Sequence, residues 1–202
     1  MPKIVDHEQR KILIAEATWT VITRDGLEKA TVREVAQEAG LSPGALRHYF
    51  STQNELLAYS MKLVSDRVKK RAESKNYEGP RLEVMLELLS EALPMDDERR
   101  IEMEVWLIFS SRSLVDKKLH SLSQKVFTEM RHAVRLVIDR LTQLGFIRNS
   151  IDPELETRKL HALIDGVGLH ALLHPDMLTA QEMTKIIKSH LLSLCNGEEE
   201  HA

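Results

Sequence analysis

Cysteine is almost absent: Cys195 is the single one among 202 residues. That excludes an intrachain disulfide framework and a thiolate metal cluster built from one chain, and it is compatible with a reducing cytoplasm. The sequence contains no HExxH, no phosphate-binding glycine loop, no GxSxG and no CxxC, so no enzyme is expected. No apolar run is long enough to span a bilayer. The N-terminus mixes Lys3, Asp6, His7, Glu8, Arg10 and Lys11 before any apolar stretch, unlike a signal peptide, and a cytoplasmic location is the expectation. Strand-like alternation, low-complexity tracts and internal repeats are missing as well, which leaves an all-α chain.

A strongly basic stripe is also lacking. The net charge is −3, at first sight unfavourable for nucleic acid, but the charge is unevenly spread. Residues 1–75 carry 13 Lys and Arg against 10 Asp and Glu, or +3, and the remainder carries 15 against 21, or −6. The N-terminal end is the one suited to DNA, with affinity resting on a few directed contacts and on dimerisation. A composition of 43% hydrophobic and 29% charged residues is that of a globular protein with one large or two small domains.

What is present is concentrated in Thr31 to Phe50, TVREVAQEAGLSPGALRHYF. Thr31 precedes the apolar positions Val32, Val35, Ala36 and Ala39, with Glu34 three residues on, a capping box that starts a helix at about Val32. Gly40 closes that helix by taking a positive φ, and Leu41 returns to the core. Ser42 followed by Pro43 starts a second helix, running towards Tyr49. Two helices joined by a glycine turn suit a helix-turn-helix. The second would lie in the major groove, where Gly44 and Ala45 permit close approach and Arg47, His48 and Tyr49 supply polar contacts. An ordinary helical hairpin shares these signals, so the pattern alone leaves both readings open.

Residues from about 10 to 60 resemble the N-terminal domain of the TetR family of transcriptional regulators, through Ile14, Ala17 and Gly26, then TVREVAQEAG, LSPGALRHYF and Glu55-Leu56-Leu57. LIDGVGLHALLHP at 163–175 is similar to the C-terminal domain of the branch containing the betaine regulator BetI. The resemblance implies a DNA-binding regulator with an N-terminal three-helix domain and a C-terminal helical bundle, about nine helices in all. Its expected partners are a double-stranded DNA operator, a small-molecule effector and a second copy of the chain, with no cofactor and no membrane. Two positions depart from the family: Arg47 stands where it usually has a tyrosine and Gln53 where it usually has a lysine, both positions commonly touching phosphate. Arginine can still bond a phosphate or a guanine edge, whereas Gln53 offers only a neutral amide. The DNA-facing set expected here is Thr31, Arg33, Ser42, Pro43, Gly44, Ala45, Arg47, His48, Tyr49 and Gln53.

Along the chain, Ile14, Ala17, Val21 and Ile22 recur at helical spacing from His7 to Asp25, and Gly26 ends that helix. Trp19, off this stripe, is expected to pack on the fourth helix. Thr52 and Glu55 form a second capping box, opening a helix to about Ser74 whose end, Lys69 to Lys75, reads as solvated. Domains are thus expected over 1–51, with a connecting helix at 52–75 and an effector-binding and dimerisation domain at 76–202. Tyr77-Glu78-Gly79-Pro80 marks the boundary. Helices follow at Arg81–Leu93, from Asp96-Asp97-Glu98 through IEMEVWLIFSS, and over Val115–Leu144 until Gly145.

Asp152-Pro153 begins a helix that Pro175 stops and that is apolar on two faces, with Leu160, Leu163, Val167 and Ala171 on one and Leu169, Leu172 and Leu173 elsewhere. With the last helix, from Thr179 to about Cys195, it is expected to build a four-helix dimer interface through Gly166, Leu169, His170, Leu173, Ile187 and Leu191. Residues 197–202 read as a frayed acidic tail. An effector pocket is expected from Met85, Met103, Trp106, Phe109, Phe127 and Met130, with His161 and Asp165 as polar anchors. The same apolar stripe also reads as plain core. His170 and His174, one turn apart, with His161 or Asp165, form the best metal candidate, although a helix end suits imidazolium anyway, and no metal is expected. The alternative to a regulator is a ligand- or metal-binding helical protein without operator recognition.

Overall fold

The computed structural model describes residues 4–75 and 81–195. Nine α-helices follow one another there: α1 Ile4–Asp25, α2 Val32–Glu38, α3 Pro43–Arg47, α4 Gln53–Ser74, α5 Arg81–Ser90, α6 Asp97–Ser113, α7 Lys117–Gln143, α8 Pro153–Leu173 and α9 Ala180–Leu194. A 3-10 turn, Leu27–Lys29, separates α1 from α2. Among the described residues the extended pairing is one isolated antiparallel bridge, Ile147 with Cys195. The turn expected at Tyr77 to Pro80 and the acidic tail lie outside the described residues. The chain divides into two compact units, Met1–Lys69 with Glu104–Gln124, and Lys70–Met103 with Lys125–Ala202.

In the first unit the stripe on α1 is buried against the short helices. Ile14, Ala17, Val21 and Ile22 meet Val35 and Ala36 of α2, Leu46 of α3, Phe50, and Leu56 and Leu57 of α4. Gly26, at φ 88°, turns the chain out of α1. Trp19 is buried and its indole N–H donates to the Ser60 carbonyl on α4 at 3.1 Å, as its position off the main stripe suggests. The Arg67 guanidinium covers the other part of that ring, 4.8 Å from its centroid, a cation–π contact.

The second unit is built on α5, α7, α8 and α9. Leu86, Leu89, Val134, Val137, Ile138, Leu141, Leu160, Ile164, Val167, Met183, Ile187 and Leu191 form one continuous core. Asp152 caps α8, accepting from the amides of Glu154 at 2.9 Å and Leu155 at 3.2 Å, and Pro153 occupies the first turn, where no amide is needed. Thr179 and Glu182 form a complete capping box on α9. Among the described residues, Gly168 is the one glycine with a packing reason: a Cβ there would overlap the Met103 methyl.

Two expectations need correction. Helix α5 ends at Ser90 rather than Leu93, because Glu91, Ala92 and Leu93 each bond three residues back instead of four; the chain tightens before Pro94, which disfavours helix at the residue preceding it. The basic end of α4 is exposed at Lys69, Lys70 and Lys75, but Arg71 is not part of a solvated run. Arg71 bonds Glu91 at 3.0 Å and both oxygens of Glu102, at 2.9 and 2.6 Å, while Lys75 and Arg99 also pair with Glu91. Both carboxylates are buried. Burial alone would raise Glu91, but the bonds from Lys75 and Arg71 outweigh it and hold the carboxyl below its ordinary range. Carboxylates 20 and 31 residues further along the chain decide the fate of these basic residues.

Candidate nucleic-acid interface

The interface builds from its caps. Thr31 Oγ1 accepts the Glu34 amide at 3.2 Å and Ser42 Oγ accepts the Ala45 amide at 3.1 Å, so α2 and α3 start where the hydroxyls fix them. Only the forward half of the Thr31 box forms, since the Thr31 amide is already bonded to the Lys29 carbonyl at 2.6 Å. Gly40, at φ 66°, reverses the chain, and the Leu41 amide closes onto the Ala36 carbonyl at 2.8 Å, a Schellman-type stop. Leu46 is then buried, which turns the rest of α3 outward.

Thr31, Arg33, Ser42, Pro43, Gly44, Arg47 and His48 are all exposed, Ala45 and Tyr49 are half-buried. The five-residue α3 ends at Arg47. His48 and Tyr49 leave it through bonds three residues back, to Ala45 at 3.2 Å and Leu46 at 2.9 Å, so they sit on a tightened last turn rather than on a longer helix. The Tyr49 ring lies 4.9 Å from that of His7 on α1. His7 was missed in the sequence, where nothing local marks a contact across that separation. Nearby, Tyr59 donates to Glu8 at 2.7 Å; burial and that carboxylate push its phenol well above its ordinary value.

The start of α4 differs from expectation in detail. Thr52 Oγ1 accepts the Glu55 amide at 3.1 Å, but the Glu55 carboxylate returns to Ser51, taking its hydroxyl at 2.7 Å and its amide at 2.9 Å. Those bonds hold Glu55 below the usual carboxylate range. Gln53 is half-buried and its amide donates to the Ala30 carbonyl at 2.9 Å.

This exposed pair of helices, each capped by a hydroxyl, with Gly44 and Ala45 in the first turn of α3 and Arg47 at its end, has the form of a helix-turn-helix. Residues 14–59 match the model of the tetR family of bacterial regulatory proteins, and residues 81–196 match that of the BetI-type transcriptional repressor C-terminal domain. The chain belongs to the TetR family of transcriptional regulators. It is 41% identical over 198 residues to the HTH-type transcriptional regulator PksA of Bacillus subtilis, covering 96% of this chain and 94% of that one. A transcriptional regulator from Rhodococcus sp. Rha1 superposes with a TM-score of 0.79 at 26% identity, over 91% of this chain and 95% of that one. A regulator from Saccharomonospora viridis, solved in complex with choline, shares the fold at a TM-score of 0.76 and 22% identity, over 90% and 95% of the two chains. These relatives are regulators and not enzymes. No helix among the described residues is long and apolar enough to cross a membrane.

The residues expected around an effector fall in both units. Trp106, half-buried, and Phe109, buried, belong to the first. In the second, Met103 and His161 are buried, Met85, Met130 and Asp165 are half-buried, and Phe127 is exposed. His161 stacks on Phe127 with ring centroids 4.8 Å apart, and its Nε2 lies 3.7 Å from the Asp165 carboxylate, beyond hydrogen-bond reach. Burial pushes the His161 imidazole down and the Asp165 carboxyl up, so both move towards neutral forms. His170 and His174 are exposed at the end of α8, where the His174 amide caps the His170 carbonyl at 2.8 Å. No group of three His, Cys, Asp or Glu side chains among the described residues is placed to hold a metal.

Of the residues expected at a dimer interface, Leu173 and His170 are exposed and Gly166 and Leu169 half-buried, on the side of α8 away from Leu160, Ile164 and Val167. Ile187 and Leu191 instead line the unit's own core, because the α9 stripe they belong to packs on α8 and α5. The outer side of α9 carries Ile186 and Leu192, both exposed.

Proposed function

We propose that this regulator is an effector-responsive repressor that binds a palindromic operator as a homodimer. The observation that carries DNA reading is the capped α3, whose Leu46 is buried while Gly44, Arg47 and His48 face outward. Thr31 and Arg33 at the start of α2, with Ser42, Pro43, Ala45 and Tyr49, complete the contact set, phosphate contacts fixing register and Arg47 reading either a phosphate or a guanine edge. The modest charge of the N-terminal part makes two copies necessary for useful affinity. The outer apolar side of α8 and α9, with Leu169, Leu173, Ile186 and Leu192, supports a two-fold helical interface, while Ile187 and Leu191 are spent on the protomer's own core.

For the effector, the second unit offers the buried His161, with the Phe127 ring 4.8 Å from its own and the Asp165 carboxylate 3.7 Å from its Nε2, too far for a hydrogen bond. Buried polar groups call for partners, and a small organic molecule with one polar group would supply them. The choline found in the Saccharomonospora viridis relative supports a ligand of that size.

Selection of duplexes from a random library tests operator reading. Two similar half-sites should emerge, bound by a species that light scattering reports as a dimer. A monomer at micromolar concentration, or retention of all sequences alike, defeats the proposal. Effector candidates that bind must do so more weakly when operator is present, by the same factor with which they weaken operator binding.

A further inference from the structure

We propose that Gln53 is a positioning residue for the helix-turn-helix: its side chain staples the entry of α2 to the first residue of α4. The chain reaches α2 through an inverse γ-turn centred on Ala30, at φ −71° and ψ 52°, closed by the Thr31 amide on the Lys29 carbonyl at 2.6 Å. Ala30 is fully buried, and a buried carbonyl needs a donor. The Glu34 amide, which an additional helical turn would direct to that carbonyl, is taken by the Thr31 hydroxyl. The Gln53 amide fills the gap at 2.9 Å, across 23 residues of sequence.

That one bond closes a ring around residues 31–52, the whole helix-turn-helix. Inside it, the Glu55 carboxylate holds the Ser51 amide and hydroxyl, just after α3. The first turn of α4 therefore grips both ends of the reading element, Ala30 before α2 and Ser51 after α3. A lysine here would have a phosphate to reach for; the neutral glutamine side chain points its donor inward. Any tilt of α4 is handed directly to the entry of α2, and a loosened staple reduces the fraction of molecules whose two helices match the groove.

Gln53→Met removes the donor at nearly constant shape, and Gln53→Ala removes it without adding a charge. The probes are a duplex selected by the wild-type chain and a scrambled duplex of equal length, with amide hydrogen exchange measured on the DNA-free protein. The staple predicts faster exchange at residues 31–36 before any DNA is added, a roughly tenfold loss of affinity for the selected duplex, and no change for the scrambled one. If Gln53→Met does not fold, Gln53→Ala is read in its place. Unchanged exchange with equal loss on both duplexes would assign Gln53 to phosphate contact and overturn the proposal. Faster exchange without loss of selectivity, or no change in any quantity, overturns it as well.

Discussion

Replacing Arg71 with methionine perturbs the most heavily buried charges in the second unit. The Arg71 side chain is 25% exposed, while those of the carboxylates it holds, Glu91 and Glu102, are 1% and 3% exposed. Glu91 would keep Lys75 and Arg99, but Glu102 would lose both of its bonds to Arg71. Removing one partner of a buried ion pair costs about 3–5 kcal/mol, because the other charge stays desolvated. Substituting both partners by apolar residues of similar volume is often neutral. Arg71→Met alone should therefore lower stability by about 3–4 kcal/mol, or roughly 10 °C in the melting temperature of a chain this size, and Arg71→Met with Glu102→Met should recover most of it. Urea denaturation at fixed protomer concentration, arranged as a double-mutant cycle, measures this coupling. A single-mutant loss under about 1 kcal/mol, or a double mutant as unstable as the sum of the singles, would show that the network does not hold the helices as the distances imply.

Arg47→Ala should weaken binding of the selected duplex by roughly 1–3 kcal/mol without unfolding the chain, Arg47 being exposed on α3. If Arg47 touches phosphate, all sequences lose affinity and the salt slope flattens; if it reads a base, preference relaxes at one operator position. Stability should also fall in acid. Burial, the dominant cause, lowers the imidazoles of both His161 and His190, so as pH drops below about 6.5 the unfolded chain binds protons that the folded one still refuses, and stability declines until the folded values are passed. Each histidine contributes a slope of at most about 1.4 kcal/mol per pH unit, and Glu91, held low in the folded state, adds a further loss as pH falls through its folded value. Urea midpoints at pH 7.5, 6.5 and 5.5 should fall in that order and His190→Leu should flatten the step from 6.5 to 5.5; midpoints that rise towards acid would contradict the sign.

The elements legible in the sequence are those fixed by neighbouring residues. Thr31, Ser42-Pro43, Asp152-Pro153 and Thr179 mark helix starts because a cap acts within three residues, and Gly40 marks the turn because its backbone conformation is costly for other residues. The apolar stripes of α1 and α8 were legible for the same reason, since helical periodicity is local. What escaped the sequence depends on chain separation. Arg71 looks like part of a solvated basic run until Glu91 and Glu102 arrive from α6 and the turn before it. The α9 stripe of Ile187 and Leu191 can cover its own core or a partner equally well, and only the packing of α8 against α9 decides for the core. Arg47 was legible as exposed because the burial of Leu46 follows from α3 being one and a half turns long, whereas Tyr49 meeting His7 was not.

The departure from the family pattern at Gln53 then has a physical sense. Reading by a strongly basic surface makes affinity for any sequence high and tolerates a loosely held reading helix, because counterion release acts without regard to base identity. This chain has only a +3 balance over residues 1–75 and a neutral side chain at 53, so little affinity comes from phosphate attraction at that position. If Arg47, His48 and the small residues Gly44 and Ala45 read the groove as proposed, discrimination depends on presenting them in one fixed arrangement, since a specific contact counts only in the fraction of molecules that already hold it. On the proposed staple, a glutamine turned inward to Ala30 forgoes a charge and gains that arrangement, which would lower binding to wrong sequences more than binding to the right one. Specificity is the difference between those two affinities, and it rises even where the larger of them falls.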